Sequence, residues 1–104
     1  MEQKIKLFIS QPMNGKSDAE IRHEREKAAE SAKELLRCEV EVIDSFFENA
    51  PVEAKPLWYL GESIKLLSTA DVAYFVKGWE AARGCRIENT CALEYGLDVI
   101  EDYK

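Results

Sequence analysis

The sequence predicts an α/β protein, a three-layer sandwich around a doubly wound sheet of about four parallel strands. Strand-like apolar runs alternate with helical patterns in the order β-α-β-α-β-α-β. The run Ala70-Asp71-Val72-Ala73-Tyr74-Phe75-Val76 lacks the alternation of a half-buried strand, as expected of one covered on both faces. The helical segments between strands are long enough for right-handed crossovers. A chain of 104 residues with 46% hydrophobic and 33% charged content has one ordinary core and is read as a single domain over residues 1–104.

Each element has its own signal. Ile5-Lys6-Leu7-Phe8-Ile9-Ser10 is rich in strand formers. Gln11-Pro12-Met13-Asn14-Gly15-Lys16 follows as a loop, with Asn14-Gly15 a turn dipeptide that tolerates positive φ. Ser17-Asp18-Ala19-Glu20 reads as a capping box. The helix it opens carries Ile21, Ala28, Ala32, Leu35 and Leu36 on one stripe, and its charged residues, with His23, form a solvated side. Residues 40–43 make a short strand ending on Asp44, and residues 45–55 a loop broken by Asn49 and Pro51. Residues 56–69 form a helix with Leu57, Leu60, Ile64 and Leu67 at helical spacing, interrupted by Gly61. After the buried strand over residues 70–76, Lys77-Gly78-Trp79 is an exit loop, residues 82–97 a last helix and residues 98–101 a final short strand.

Composition excludes several classes of partner. The net charge of −6 and pI near 4.8 match neither a nucleic-acid polymer nor an anionic membrane, whose binding depends on clustered Lys and Arg. A small anionic ligand stays open, because backbone amides can cradle a phosphate inside an acidic protein. No apolar run reaches membrane-span length, and Met1-Glu2-Gln3-Lys4 leads straight into a strand without a signal peptide, so a cytoplasmic location is expected. Cys38, Cys85 and Cys91 form no C-x-x-C and His23 is the single histidine, which speaks for reduced thiols and against a zinc site.

In a flavodoxin- or Rossmann-like sheet, ligands bind beyond the carboxyl ends of the strands, at the switch point. The loops to inspect are therefore residues 10–16, 44–46 and 77–83. The first leads into a helix N-terminus and is either an anion cradle or a plain turn; it has neither G-x-G-x-x-G nor the P-loop pattern. The third, Gly78-Trp79-Glu80-Ala81-Ala82-Arg83-Gly84-Cys85-Arg86-Ile87-Glu88, gathers an aromatic, two arginines and a carboxylate at the start of the last helix. Gly84, Glu88, Cys91, Ala92 and Tyr95 share one helix face, so the Glu88 carboxylate points inward among small or apolar partners. Such a carboxylate is either a functional group or one arm of a bridge to Arg83, Arg86 or a tyrosine hydroxyl.

Two motifs, Ile9-Ser10-x-Pro12-Met13-x-Gly15 and Gly78-Trp79-Glu80-x-x-x-Gly84-x-x-x-Glu88-x-x-x-Ala92-x-x-x-Gly96, carry a resemblance. With the buried strand before the second, they resemble the nucleoside 2-deoxyribosyltransferase-like superfamily, above all its small bacterial and phage branch. The chain is also similar to the deoxynucleoside 5′-monophosphate N-glycosidases. The resemblance implies that Glu88 is the nucleophile that traps the sugar as a covalent glycosyl-enzyme. It implies that Ser10, Gln11, Pro12, Met13, Asn14 and Gly15 surround base and sugar, with Gly78, Trp79, Arg83 and Gly84 beside them and Asp44 near the sugar. Trp79 would wall the base by stacking or, equally, cap the core. Where relatives carry an assisting Asp, eight residues before Asp71, this chain has Ser63, with Glu62 beside it. Glu62 would have to turn about 100° to take that place. Where relatives often carry a Ser, six residues before the nucleophile, it has Ala82.

The expected ligand is a small-molecule nucleoside or nucleotide, with no metal or organic cofactor. The expected assembly is a homodimer or higher homo-oligomer in which a neighbour completes the site, with Trp58 and Tyr59 as an exposed pair. The alternative is a non-catalytic nucleotide- or ribose-ligand-binding module using the same cleft.

Overall fold

Ile5–Ser10 (β1) is the hub of the sheet, and its apolar run leaves no solvent face. In the computed structural model, which describes residues 4–45, 47 and 50–102, it pairs in parallel with Val40–Val42 (β2) on one side. On the other side it pairs with Val72–Phe75 (β3), and Asp98–Glu101 (β4) completes the parallel order β2-β1-β3-β4. The four-strand doubly wound sheet is the one the sequence predicts.

After β2 the chain crosses back past β1 to reach β3. With right-handed crossovers, that reversal sends the two connecting helices to opposite faces. Asp18–Leu36 (α1) covers the face built by Leu7, Ile9, Val40, Val72 and Tyr74. Pro56–Leu67 (α2) and Arg83–Glu94 (α3) cover the face of Phe8, Ala73 and Phe75. Alternation along β1 thus sends Ile9 one way and Ser10 the other, and this decides the placement of the site. Leu7, Phe8, Ile9 and Phe75 are at most 1% exposed.

Local chemistry sets the ends. Ser17 Oγ accepts from Glu20 N at 3.2 Å while Glu20 Oε1 accepts from Ser17 N at 3.4 Å, the reciprocal cap the sequence predicts. The Asp71 carboxylate accepts from Lys6 N at 2.8 Å and ties the entry of β3 to β1. Gly78 sits at φ 92°, which strains any residue with a Cβ, and turns β3 into a 3-10 turn at Trp79–Ala81.

Three expectations are corrected. Leu35 and Leu57 fall on outer helix surfaces and are exposed. The second helix stops at Leu67 rather than residue 69, because the Ser68 and Thr69 hydroxyls donate to the carbonyls of Lys65 and Leu66. The last helix spans Arg83–Glu94 rather than residues 82–97, so Tyr95 becomes its C-cap and lies exposed instead of sharing the inward face. Among the described residues, no helix is long and apolar enough to cross a membrane, and no three His, Cys, Asp or Glu side chains converge to hold a metal.

Candidate functional site

Ser10 O accepts from Val76 N at 2.9 Å, the last rung between β1 and β3. Beyond it the two chains part, and a cleft of about 710 Å³ opens at the carboxyl end of the sheet. That is the size of a small-molecule site at the expected switch point. Ser10, Gln11, Pro12, Met13 and Asn14 form its floor, Pro56, Tyr59, Leu60 and Ser63 of α2 one wall. Gly78, Arg83, Gly84, Cys85 and Glu88 close the α3 side, and Arg25 and Ser45 the α1 side.

Glu88 lies one turn into α3 and is 7% exposed. The buried face of that helix is Cys85, Glu88, Asn89 and Ala92. Ser10 Oγ donates to Glu88 Oε1 at 2.6 Å, joining β1 to α3. Burial raises the Glu88 carboxyl above its ordinary pKa, while the Ser10 and Ser63 hydroxyls and the Arg25 charge pull it down. The bridges to Arg83, Arg86 or a tyrosine that the sequence left open are replaced by this serine contact; Arg86 Nη1 instead donates to Glu80 O at 2.9 Å. A carboxyl held by serine hydroxyls and facing a cleft can act as nucleophile, proton carrier or anchor for a hydroxyl. Beside it, burial pushes the Cys85 thiol up to about 11, so it stays protonated and inert as a nucleophile.

Arg25 reaches the cleft from α1 and donates from Nη2 to Ser45 Oγ at 2.9 Å. Burial lowers its pKa, and Asp44 and Glu88 oppose the shift. Gln11, 6% exposed, donates from Nε2 to Ile21 O at 3.3 Å and to Glu24 Oε1 at 3.1 Å. Lys16 Nζ holds both oxygens of Glu24, at 3.0 and 2.8 Å.

The fold therefore brings ten of the residues singled out from sequence to one cleft: Ser10, Gln11, Pro12, Met13, Asn14, Ser63, Gly78, Arg83, Gly84 and Glu88. Four others stand apart. Gly15 forms the turn below the floor, and Asp44 is exposed outside the lining. Glu62 points away and pairs with Lys65 at 2.9 Å, because one helical step separates it from Ser63. Trp79 is buried and packs on Phe75 with ring centroids 5.5 Å apart, so it caps the core rather than walling the cleft. Phe46, in the second loop, lies outside the described residues.

Sequence reasoning missed Arg25, Cys85 and the cleft-facing role of Tyr59, while Ser45 lies in the second of the three loops it marked. The signal for Arg25 was present: it follows Ile21 by four residues and precedes Ala28 by three, inside the apolar stripe of α1.

Residues 5–101 match the family described as Domain of unknown function (DUF4406), and the chain belongs to that family. No curated protein and no solved structure matches the chain.

Proposed function

We propose that the protein cleaves or transfers the N-glycosidic bond of a nucleoside or nucleotide, with Glu88 as nucleophile. The observation that carries this reading is the Glu88 carboxyl itself, 7% exposed, fixed by Ser10 Oγ at 2.6 Å and turned to a ligand-sized cleft. The motif resemblance around Gly84 and Glu88 supports the same role. In the proposed reaction the carboxylate bonds to the anomeric carbon as the carbon–nitrogen bond breaks, and the electron pair of that bond leaves on the base. The base takes up a proton as it departs. Water then hydrolyses the glycosyl ester, or a second base accepts the sugar.

A test is release of free base from a panel of deoxynucleosides and their monophosphates. The wild type releases base, and Glu88→Ala lowers the rate about a thousandfold or more. Tight nucleotide binding by both proteins without any base release would instead favour a non-catalytic nucleotide- or ribose-binding module. One observation speaks for that second reading: Glu88 is the single carboxyl among the described residues that line the cleft, since Glu62 is engaged by Lys65.

The proposed assembly is a homodimer or higher homo-oligomer in which a second copy completes the site. Of the expected exposed pair, Tyr59 is exposed and lines the cleft, which supports it, whereas Trp58 is half-buried; Leu57, also on α2, is exposed outside the cleft lining. Sedimentation velocity at micromolar concentration should give at least a dimer, and a monomeric mass removes the idea.

A further inference from the structure

Two buried polar atoms on the α1 side of the cleft have no hydrogen-bond partner among the described residues: Gln11 Oε1, an acceptor, and Arg25 Nε, a donor. Both belong to side chains that line the cleft. Their positions follow from the fold. Gln11 is the residue after Ser10, so alternation turns it to the α1 face while Ser10 meets Glu88 on the α3 face. Its amide orientation is fixed, because Nε2 donates to Ile21 O and Glu24 Oε1, and the flipped amide would set its oxygen against two acceptors. Arg25 springs from the same helical turn as Ile21 and Glu24, and its Nη2 is held by Ser45 Oγ. Leaving a buried donor and a buried acceptor unmatched is costly, so the pair calls for a partner that supplies the complementary groups.

We propose that Gln11 and Arg25 form a recognition edge for the planar base of the ligand, reading one acceptor and an adjacent donor on the rim of the ring. This rests on the reading of the cleft as a nucleoside site. A phosphate offers acceptors to Arg25 but no donor to Gln11 Oε1. A ring edge bearing a carbonyl beside an N–H, or a ring nitrogen beside an amino group, satisfies both atoms at once. Met13, Tyr59 and Leu60, which also line the cleft, provide apolar surface for the faces of the ring. With Glu88 on the α3 side of β1 and this edge on the α1 side, the ligand straddles the carboxyl end of β1. Its sugar lies at Glu88 and its base toward α1.

The experiment is calorimetric titration of the full chain with free bases and deoxynucleosides, and with counterparts methylated at the edge N–H, each nucleoside with and without a 5′-phosphate. In the wild type, methylation weakens binding about tenfold or more. Arg25→Lys, which keeps the charge but loses the planar Nε donor, and Arg25→Met weaken the parent ligands similarly. The loss is the same whether or not a 5′-phosphate is present. The proposal is overturned if parent and methylated ligands bind alike, if no ligand of the panel binds, or if Arg25→Lys matches wild type while Arg25→Met loses only phosphorylated ligands. The methylation arm uses wild type alone, so it decides even where the Arg25 variants do not fold. Base release separates the two readings. A chain that discriminates base edges but releases no base keeps this edge and loses the Glu88 chemistry, and one that releases base from parent and methylated substrates alike does the reverse.

Discussion

Helices α1 and α2 lean on opposite faces of one sheet, yet they are held by different means. The nineteen-residue α1 is heavily charged, carries a complete capping box and buries Ile21, Ala28 and Ala32 in the core. The twelve-residue α2 is the more apolar, with Leu57, Trp58, Tyr59, Leu60, Ile64, Leu66 and Leu67, but has no side-chain cap and fully buries Leu67 alone. Ile64 and Leu66 pack partly buried against the core, while its other apolar residues wall the cleft, meet Phe47 or face outward. A narrow stripe of alanines thus anchors one helix, while a wide apolar surface on the other is left for ligand and neighbour. The number of apolar residues says less about anchoring than how closely they approach the sheet.

That contrast can be broken by experiment. The largest stability effect should come from α1: Ala32 is wholly buried, and Ala32→Leu overpacks the interface, costing about 1–3 kcal/mol in urea unfolding. A wild-type value would show that α1 is not the anchor. Removing its cap with Ser17→Ala should cost about 1 kcal/mol, or roughly 4 °C in Tm. By comparison Leu57→Ser on α2, at a site 74% exposed, should change monomer stability by no more than about 0.5 kcal/mol. Between the helices, Glu88 provides a pH signature. Burial raises its native-state pKa, so its contribution to stability is fully present below the ordinary carboxylate range and fades as pH rises through the raised value. Glu88→Gln should therefore melt above wild type at neutral pH, with the gap closing in acid. A gap that is constant with pH would mean that the carboxyl is not desolvated.

Much of this was legible in the sequence because it is local. The unalternating run of β3, the capping box at Ser17 and the inward aim of Glu88 each follow from spacing within a few residues. What was illegible depends on helix ends and long-range meetings. The sequence face through Cys91 and Tyr95 assumed a helix continuing to residue 97, and the stop at Glu94 took Tyr95 out of it. For Trp79 the sequence left a ligand wall and a core cap both open, and the 3-10 turn after Gly78, which swings it into the core, decides for the cap. Arg25 hid in a charge run, although its place in the apolar stripe distinguished it from the solvated residues around it. The Ser10–Glu88 contact could not be read at all, since the two residues stand 78 positions apart.

That separation also has a meaning in time. β1 is synthesised before β3 and α3, so its central partner and the carboxyl it meets emerge only after more than sixty further residues. Closing such long loops before any contact repays the cost makes folding slow, and leaves the apolar β1 without its neighbours while the chain emerges. The cleft cannot be assembled in stages. A nascent or clipped chain that stops before α3 has three of the four strands but no Glu88, so ligand binding reports completion of the fold.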